Sequence, residues 1–113
     1  MEKKKDIVYL YGFSTRKQMY LDNLLGIVSE QTENNVSIAI VLIHDGVIGT
    51  SQSGTIPNSL GKLLNLSISV FALLPDLLAR GIEPITVDPR IKCIEYEDLV
   101  DILAQTPKVA SWM

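Results

Sequence analysis

Apolar positions fall into two rhythms along the chain: short continuous or alternating runs, and runs that recur every three or four residues. Asp6-Ile7-Val8-Tyr9-Leu10-Tyr11 reads as a first strand that stops at Gly12. Leu21, Leu24, Leu25 and Val28 then repeat at i, i+3, i+4 and i+7, the stripe of an amphipathic helix, with Ser14 as its expected cap and the polar stretch from Glu30 to Asn35 as its end. Val36 to Ile43 is too continuously apolar to have a solvated face, which predicts a central strand. A short helical turn is expected between Asn58 and Leu64, and Leu66 to Leu73 reads as a third strand. Pro75 and Gly81 bracket a short helix, because a first helical turn tolerates proline and a helix end favours glycine. Ile91 to Ile94 is a fourth strand. Glu97 and Asp98 suit the start of a last helix whose inward stripe is Leu99, Ile102 and Leu103, and Pro107 closes it.

Strands alternating with helices across short loops predict an α/β fold: a small three-layer sandwich whose mostly parallel sheet of about four to five strands is flanked by helices. No linker or repeat divides the sequence, so residues 1–113 are expected to form a single domain. Ligands of such sheets gather beyond the carboxyl ends of the strands. Gly12 to Lys17, His44 to Asn58, and Leu74-Pro75-Asp76 should all lie at that edge.

Composition narrows the function classes. Apolar residues make up 47% of the 113 residues and charged ones 20%, rich enough in a chain this short to expect part of the surface in a subunit interface. The formal net charge of −3 provides no global basic field for nucleic acid, and Lys3-Lys4-Lys5 reads as a solvated terminal arm. No signal peptide or spanning segment is visible, which makes the cytoplasm the simplest location and gives no reason to expect a membrane partner. A single cysteine excludes an internal disulfide and a multi-cysteine zinc site. No metal-ligand spacing and no cofactor motif stands out.

The stretch "VLIHDGVIGTSQSGT" (41–55) passes from a buried strand into a loop shaped like a binding site, yet it contains neither cysteine nor lysine. His44 and Asp45 are adjacent and, as strand neighbours, would point to opposite faces. Asp45-Gly46 reads as a turn in which Gly46 supplies a positive φ. Around Gly12 to Lys17, Arg16 and Lys17 are expected in the first turn of a helix, where cations oppose the macrodipole. Such a misplacement fits either solvated surface charge or an anion held by helix amides, with Ser14, Arg16 and Lys17 as the candidates. Cys93 lies on the same strand face as Ile91, away from Lys92 and near the acids Glu95, Glu97 and Asp98, a setting that suits a small core residue better than a reactive thiol.

Four stretches in order, "VLIHDGV" (41–47), "VFALLPDLLARGI" (70–82), "CIEYEDLVDIL" (93–103) and "TPKVASW" (106–112), resemble the DsrH/TusB branch of the DsrE-like sulfur-relay family. The resemblance implies a parallel sheet flanked by helices and an assembly. DsrE-like chains form trimers, dimers of trimers or mixed hexamers, and a DsrH/TusB chain sits beside related DsrE/DsrF-like or TusD/TusC-like subunits. Such complexes pass persulfide sulfur toward the 2-thiouridine of tRNA or within dissimilatory sulfur metabolism.

The departures from the family pattern bear on mechanism. DsrE-like carriers place an acceptor cysteine in the loop after a strand, and some DsrH-type chains place one in the first helix. Here residues 44–58 hold no cysteine, and the helix position falls near Leu24, again not a thiol. The resemblance therefore implies a subunit that is structural rather than sulfur-carrying. In it Gly49, Ser51, Ser53 and Gly54 would form a hydrogen-bonding edge, and Ile48 and Ile56 would pack on a neighbouring subunit. The alternatives are a sulfur carrier that uses Cys93 as persulfide acceptor, aided by Lys92 or by Arg16 and Lys17, and a small anion- or nucleotide-binding module.

Overall fold

The computed structural model describes residues 4–113. Five strands, β1 (Ile7–Tyr11), β2 (Ile38–Leu42), β3 (Ser69–Leu73), β4 (Ile91–Ile94) and β5 (Lys108–Trp112), form one sheet in the order β4-β3-β2-β1-β5. Every neighbouring pair is parallel. The chain steps outward from β1 to β4, then crosses back to lay β5 beside β1. The helices are α1 (Gln18–Glu33), α2 (Asn58–Leu64), α3 (Leu74–Ala79) and α4 (Tyr96–Gln105).

Two apolar layers follow from the alternation of side chains along the strands. On one face Tyr9, Tyr11, Ile38, Ile40, Leu42, Val70, Ala72 and Ile91 meet Leu21, Leu24 and Val28 of α1, Leu60, Leu63 and Leu64 of α2, and Leu77 of α3. On the other, Val8, Ala39, Val41, Ile43, Phe71, Leu73 and Ile94 meet α4 through Leu99, Ile102 and Leu103. All five residues of β2 are buried, as expected of a central strand covered on both sides.

Local chemistry fixes the helix ends. Asn35 adopts φ 63° just beyond α1, where Val36 N–H donates to Gln31 O (3.0 Å) and Asn35 N–H to Thr32 O (3.1 Å). Gly81, at φ 68°, ends α3 in the same way, with Ile82 N–H on Leu77 O (2.9 Å). A reciprocal capping box opens α4, in which the Glu95 N–H reaches the Asp98 carboxylate at 3.0 Å.

The elements depart from the sequence reading at several points. Helix α1 begins at Gln18, so Arg16 and Lys17 precede it instead of occupying its first turn. Ser14 does not cap it: its hydroxyl accepts the Arg16 N–H at 3.2 Å and its carbonyl the Lys17 N–H at 3.0 Å, closing a turn before the helix. The third strand starts at Ser69, because Leu66 and Ile68 are held in turns that follow α2. β5, the segment after Pro107, is the fifth strand. Its ladder to β1 puts Lys108, Ala110 and Trp112 on the face of the main core, where Ala110 and Trp112 pack, and Val109 and Ser111 on the other; Lys108, Val109 and Ser111 are exposed.

Candidate functional site

The carboxyl edge of the sheet is organised around the exit of β2. Ile43 N–H donates to Tyr11 O at 3.0 Å, and the chain then turns sharply at His44, whose φ is 51°. His44–Val47 forms a single 3-10 turn, so His44 and Asp45 are turn neighbours and not strand neighbours. Both are tied to α3, by different groups. The Asp76 carboxylate accepts the His44 N–H at 2.6 Å. Arg80 donates from Nε (3.1 Å) and Nη2 (3.0 Å) to one oxygen of Asp45. The His44 imidazole is left exposed.

Gly46 is needed here for a reason other than positive φ, which it does not adopt. A Cβ at this position would overlap the carbonyl oxygen of Tyr11, so only glycine lets the turn lie against the end of β1. Gly49, at φ 96°, is the glycine of this loop that adopts a positive φ. A side chain there would also run into the hydroxyl of buried Thr15, which donates to Ile48 O.

Beyond this turn the loop is pinned along its length. Thr50 is fully buried, and its hydroxyl donates to Val47 O at 2.7 Å. Ser51 bridges Val87 in antiparallel fashion; Gln52 N–H donates to Thr86 O (2.7 Å), Asp88 N–H to Thr50 O (2.9 Å) and Ser51 Oγ to Thr86 Oγ1 (2.8 Å). Ser53 N–H closes back on Ser51 Oγ at 3.1 Å. Ile56 packs against this chain's own main core, and Ile48 is half-buried.

Behind that contact, Asp88 is 1% exposed, and its two oxygens receive Arg90 Nε at 3.0 Å and Nη2 at 2.8 Å. Arg90 also reaches Asn65 Oδ1 at 2.9 Å. The hydrogen bonds from the Arg90 side chain hold the pKa of Asp88 below the usual carboxylate value, opposed by burial and assisted by the Arg90 N–H and charge.

The segment from Gly12 to Lys17 lies against the far side of the same loop. Arg16 Nη1 donates to Thr55 O at 3.3 Å, and Gln18 Oε1 accepts both the N–H and the hydroxyl of Ser59 at 3.0 Å, capping α2 from α1. Phe13 stands edge-on to Tyr11 and stacks on Tyr20, with ring centroids 5.8 Å and 4.5 Å away. The Tyr11 hydroxyl is buried without a hydrogen-bond partner among the described residues. Burial, aided by the nearby Asp22 and Tyr20, pushes its pKa up to about 12.

The structure thus brings His44, Asp45, Gly46, Ile48, Ser51 and Ser53 together with Asp76, Arg80 and Thr86. It leaves Cys93 elsewhere. Cys93 lies on β4, two strands from β2, opposite Ala72 and half-buried against the main core, and burial raises its thiol pKa. Among the described residues no group of three or more His, Cys, Asp or Glu could hold a metal ion. The sequence reading places Asp76 at this edge, but its bond to His44 and the role of Arg80 escape it, because each acts on the 44–45 turn from more than thirty residues away.

Known proteins resemble this chain in sequence and in fold. The family model described as "DsrH like protein" covers residues 14–109. The Protein TusB of Pectobacterium carotovorum subsp. carotovorum (strain PC1) is 31% identical over 74 residues, which span 66% of this chain and 74% of that protein. Among solved structures, the ychN protein from E. coli superposes with a TM-score of 0.77 at 18% identity, covering 96% of this chain and 99% of its own. The protein of unknown function MTH1491 from Methanobacterium thermoautotrophicum gives 0.69 at 13% identity, covering 92% and 96%. At those identities the structural matches speak for the fold, while the family model and the TusB match speak for descent: the chain belongs to the DsrH-like family.

Proposed function

We propose that the chain is a subunit of a DsrH/TusB-type sulfur-relay complex, structural rather than sulfur-carrying, that works in the cytoplasm beside related DsrE/DsrF-like or TusD/TusC-like subunits. The relay would serve tRNA 2-thiouridine formation or sulfur metabolism. The observation that carries this reading is the position of the only thiol. Persulfide transfer needs a thiolate that can attack a sulfur presented by another protein. Cys93 is half-buried on a strand, and burial disfavours its thiolate, whereas the loop after β2 and helix α1 contain no cysteine. Leu24, near where some DsrH-type chains carry a cysteine, is a fully buried core side chain, whereas a carrier would need an open thiol.

In this reading the turn at His44 and Asp45 and the loop at Ser53, whose side chains are exposed, are the surface offered to a neighbouring subunit. Gly46, Ile48, Ser51 and Ile56 hold that surface in shape from within. Co-expression with the related small subunits of the same organism, followed by native mass spectrometry, tests the proposal. Recovery of the chain in a complex containing them is expected. A chain that never joins such a complex, while the other subunits assemble without it, would contradict the reading.

A further inference from the structure

Helix α1 carries its charges in the reverse order to its own dipole. Arg16 and Lys17 lead into it, its first turn holds no acid, and Glu30 and Glu33 stand near its end with no base in the last turn. A helix N-terminus favours negative charge and a C-terminus positive charge, so both ends are mismatched within the chain. Among the described residues Lys17, Glu30 and Glu33 are exposed and enter no ion pair, and Arg16 rests on a backbone oxygen, that of Thr55.

The exposed side between those ends carries three large apolar side chains. With Leu21, Leu24 and Val28 directed inward, the helical repeat places Met19, Asn23, Gly26 and Glu30 on the opposite side, with Tyr20 and Ile27 along its flank. Met19 is 73% exposed, Ile27 41% and the flanking Tyr20 42%. Gly26 sits within this 16-residue helix, and a Cβ there would meet nothing within 4 Å. Glycine weakens a helix interior, and nothing inside the chain requires it at this position. It does leave the helix backbone open to close approach from outside.

We propose that this face is a contact between two copies of the chain, with α1 packed antiparallel on α1 about a two-fold axis near Asn23 and Gly26. The antiparallel arrangement sets Arg16 and Lys17 of each copy against Glu30 and Glu33 of the other. It also brings each helix's acidic end to the other's positive pole, so the mismatch within one chain becomes complementarity between two. Because the contact is isologous, both charge pairings form together. Met19 and Ile27 close the apolar middle, and Gly26 allows the axes to approach. One helix pair is a small interface resting partly on exposed charge, so association is weak and falls with salt. The inference is independent of the sulfur-relay reading, since it concerns the chain by itself.

Sedimentation velocity of the full chain across the micromolar range, at low and high salt, tests the contact with two variants. One carries Arg16→Glu with Lys17→Glu, the other Glu30→Lys with Glu33→Lys. Each reversal suits the isolated helix dipole, so neither should fail to fold, and circular dichroism checks this. The wild-type chain is expected to dimerise, more strongly at low salt. Each variant alone should lose at least about tenfold in affinity through like-charge juxtaposition, and an equimolar mixture of the two should restore dimers. A wild-type chain that stays monomeric at low salt, variants that self-associate like the wild type, or a mixture that restores nothing would each overturn the proposal.

Discussion

Gly46 lies directly against the carbonyl oxygen of Tyr11, close enough that no side chain fits between the 3-10 turn and the end of β1. The atom that a Cβ would strike belongs to the backbone of a buried strand, which cannot swing aside. Gly46→Ala should therefore cost about 3 kcal/mol of stability as the turn is forced away from the sheet. Denaturant unfolding checks this, with Gly54→Ala as the control, since that loop glycine meets only the mobile end of Arg16.

Asp88 and Arg90 set the acid limit of the fold. Because the folded carboxyl titrates below its ordinary value of about 4, its contribution is fully present above that value and is lost as pH falls through the lower, folded one. Asp88→Asn should flatten the acid limb of a stability–pH profile. Arg90→Ala strands a buried carboxylate, and since the Arg90 side chain is itself 43% exposed the loss at neutral pH should be about 2 kcal/mol, below that of a fully buried pair. The same variant should speed hydrogen exchange at Gln52, whose amide is bonded to Thr86 in the segment that Asp88 anchors.

At Gly26 the opposite sign is expected. A methyl group there meets nothing within the chain, so Gly26→Ala should raise the stability of the monomer by about 0.5 to 1 kcal/mol. Thermal unfolding at concentrations too low for self-association measures this directly.

Much of this architecture was legible in the sequence because burial has a period. The stripe of Leu21, Leu24 and Val28, the unbroken run through β2 and the inward Leu99, Ile102 and Leu103 all fall where their spacing puts them. β5 was missed because Lys108 to Trp112 offers just two strong strand formers, Val109 and Trp112. It is a strand through its ladder to β1, a partner about a hundred residues away. The candidate site was legible only as a location. Asp45-Gly46 announced a tight turn, yet the reason for Gly46 is a carbonyl from another strand, which no local rule contains. Likewise the pairing of Asp45 with Arg80 arises because β2 and β3 are neighbours, which sets the end of one strand beside the helix that follows the other.

The central claim, that this subunit does not itself carry the travelling sulfur, is tested most directly by intact mass after exposure to a persulfide-loaded sulfurtransferase, with and without reductant. No gain in mass is expected, together with slow alkylation of Cys93 until the chain is unfolded, since burial holds its thiol pKa up. A reducible gain of one sulfur atom that disappears in Cys93→Ser would contradict that claim and make the chain a carrier.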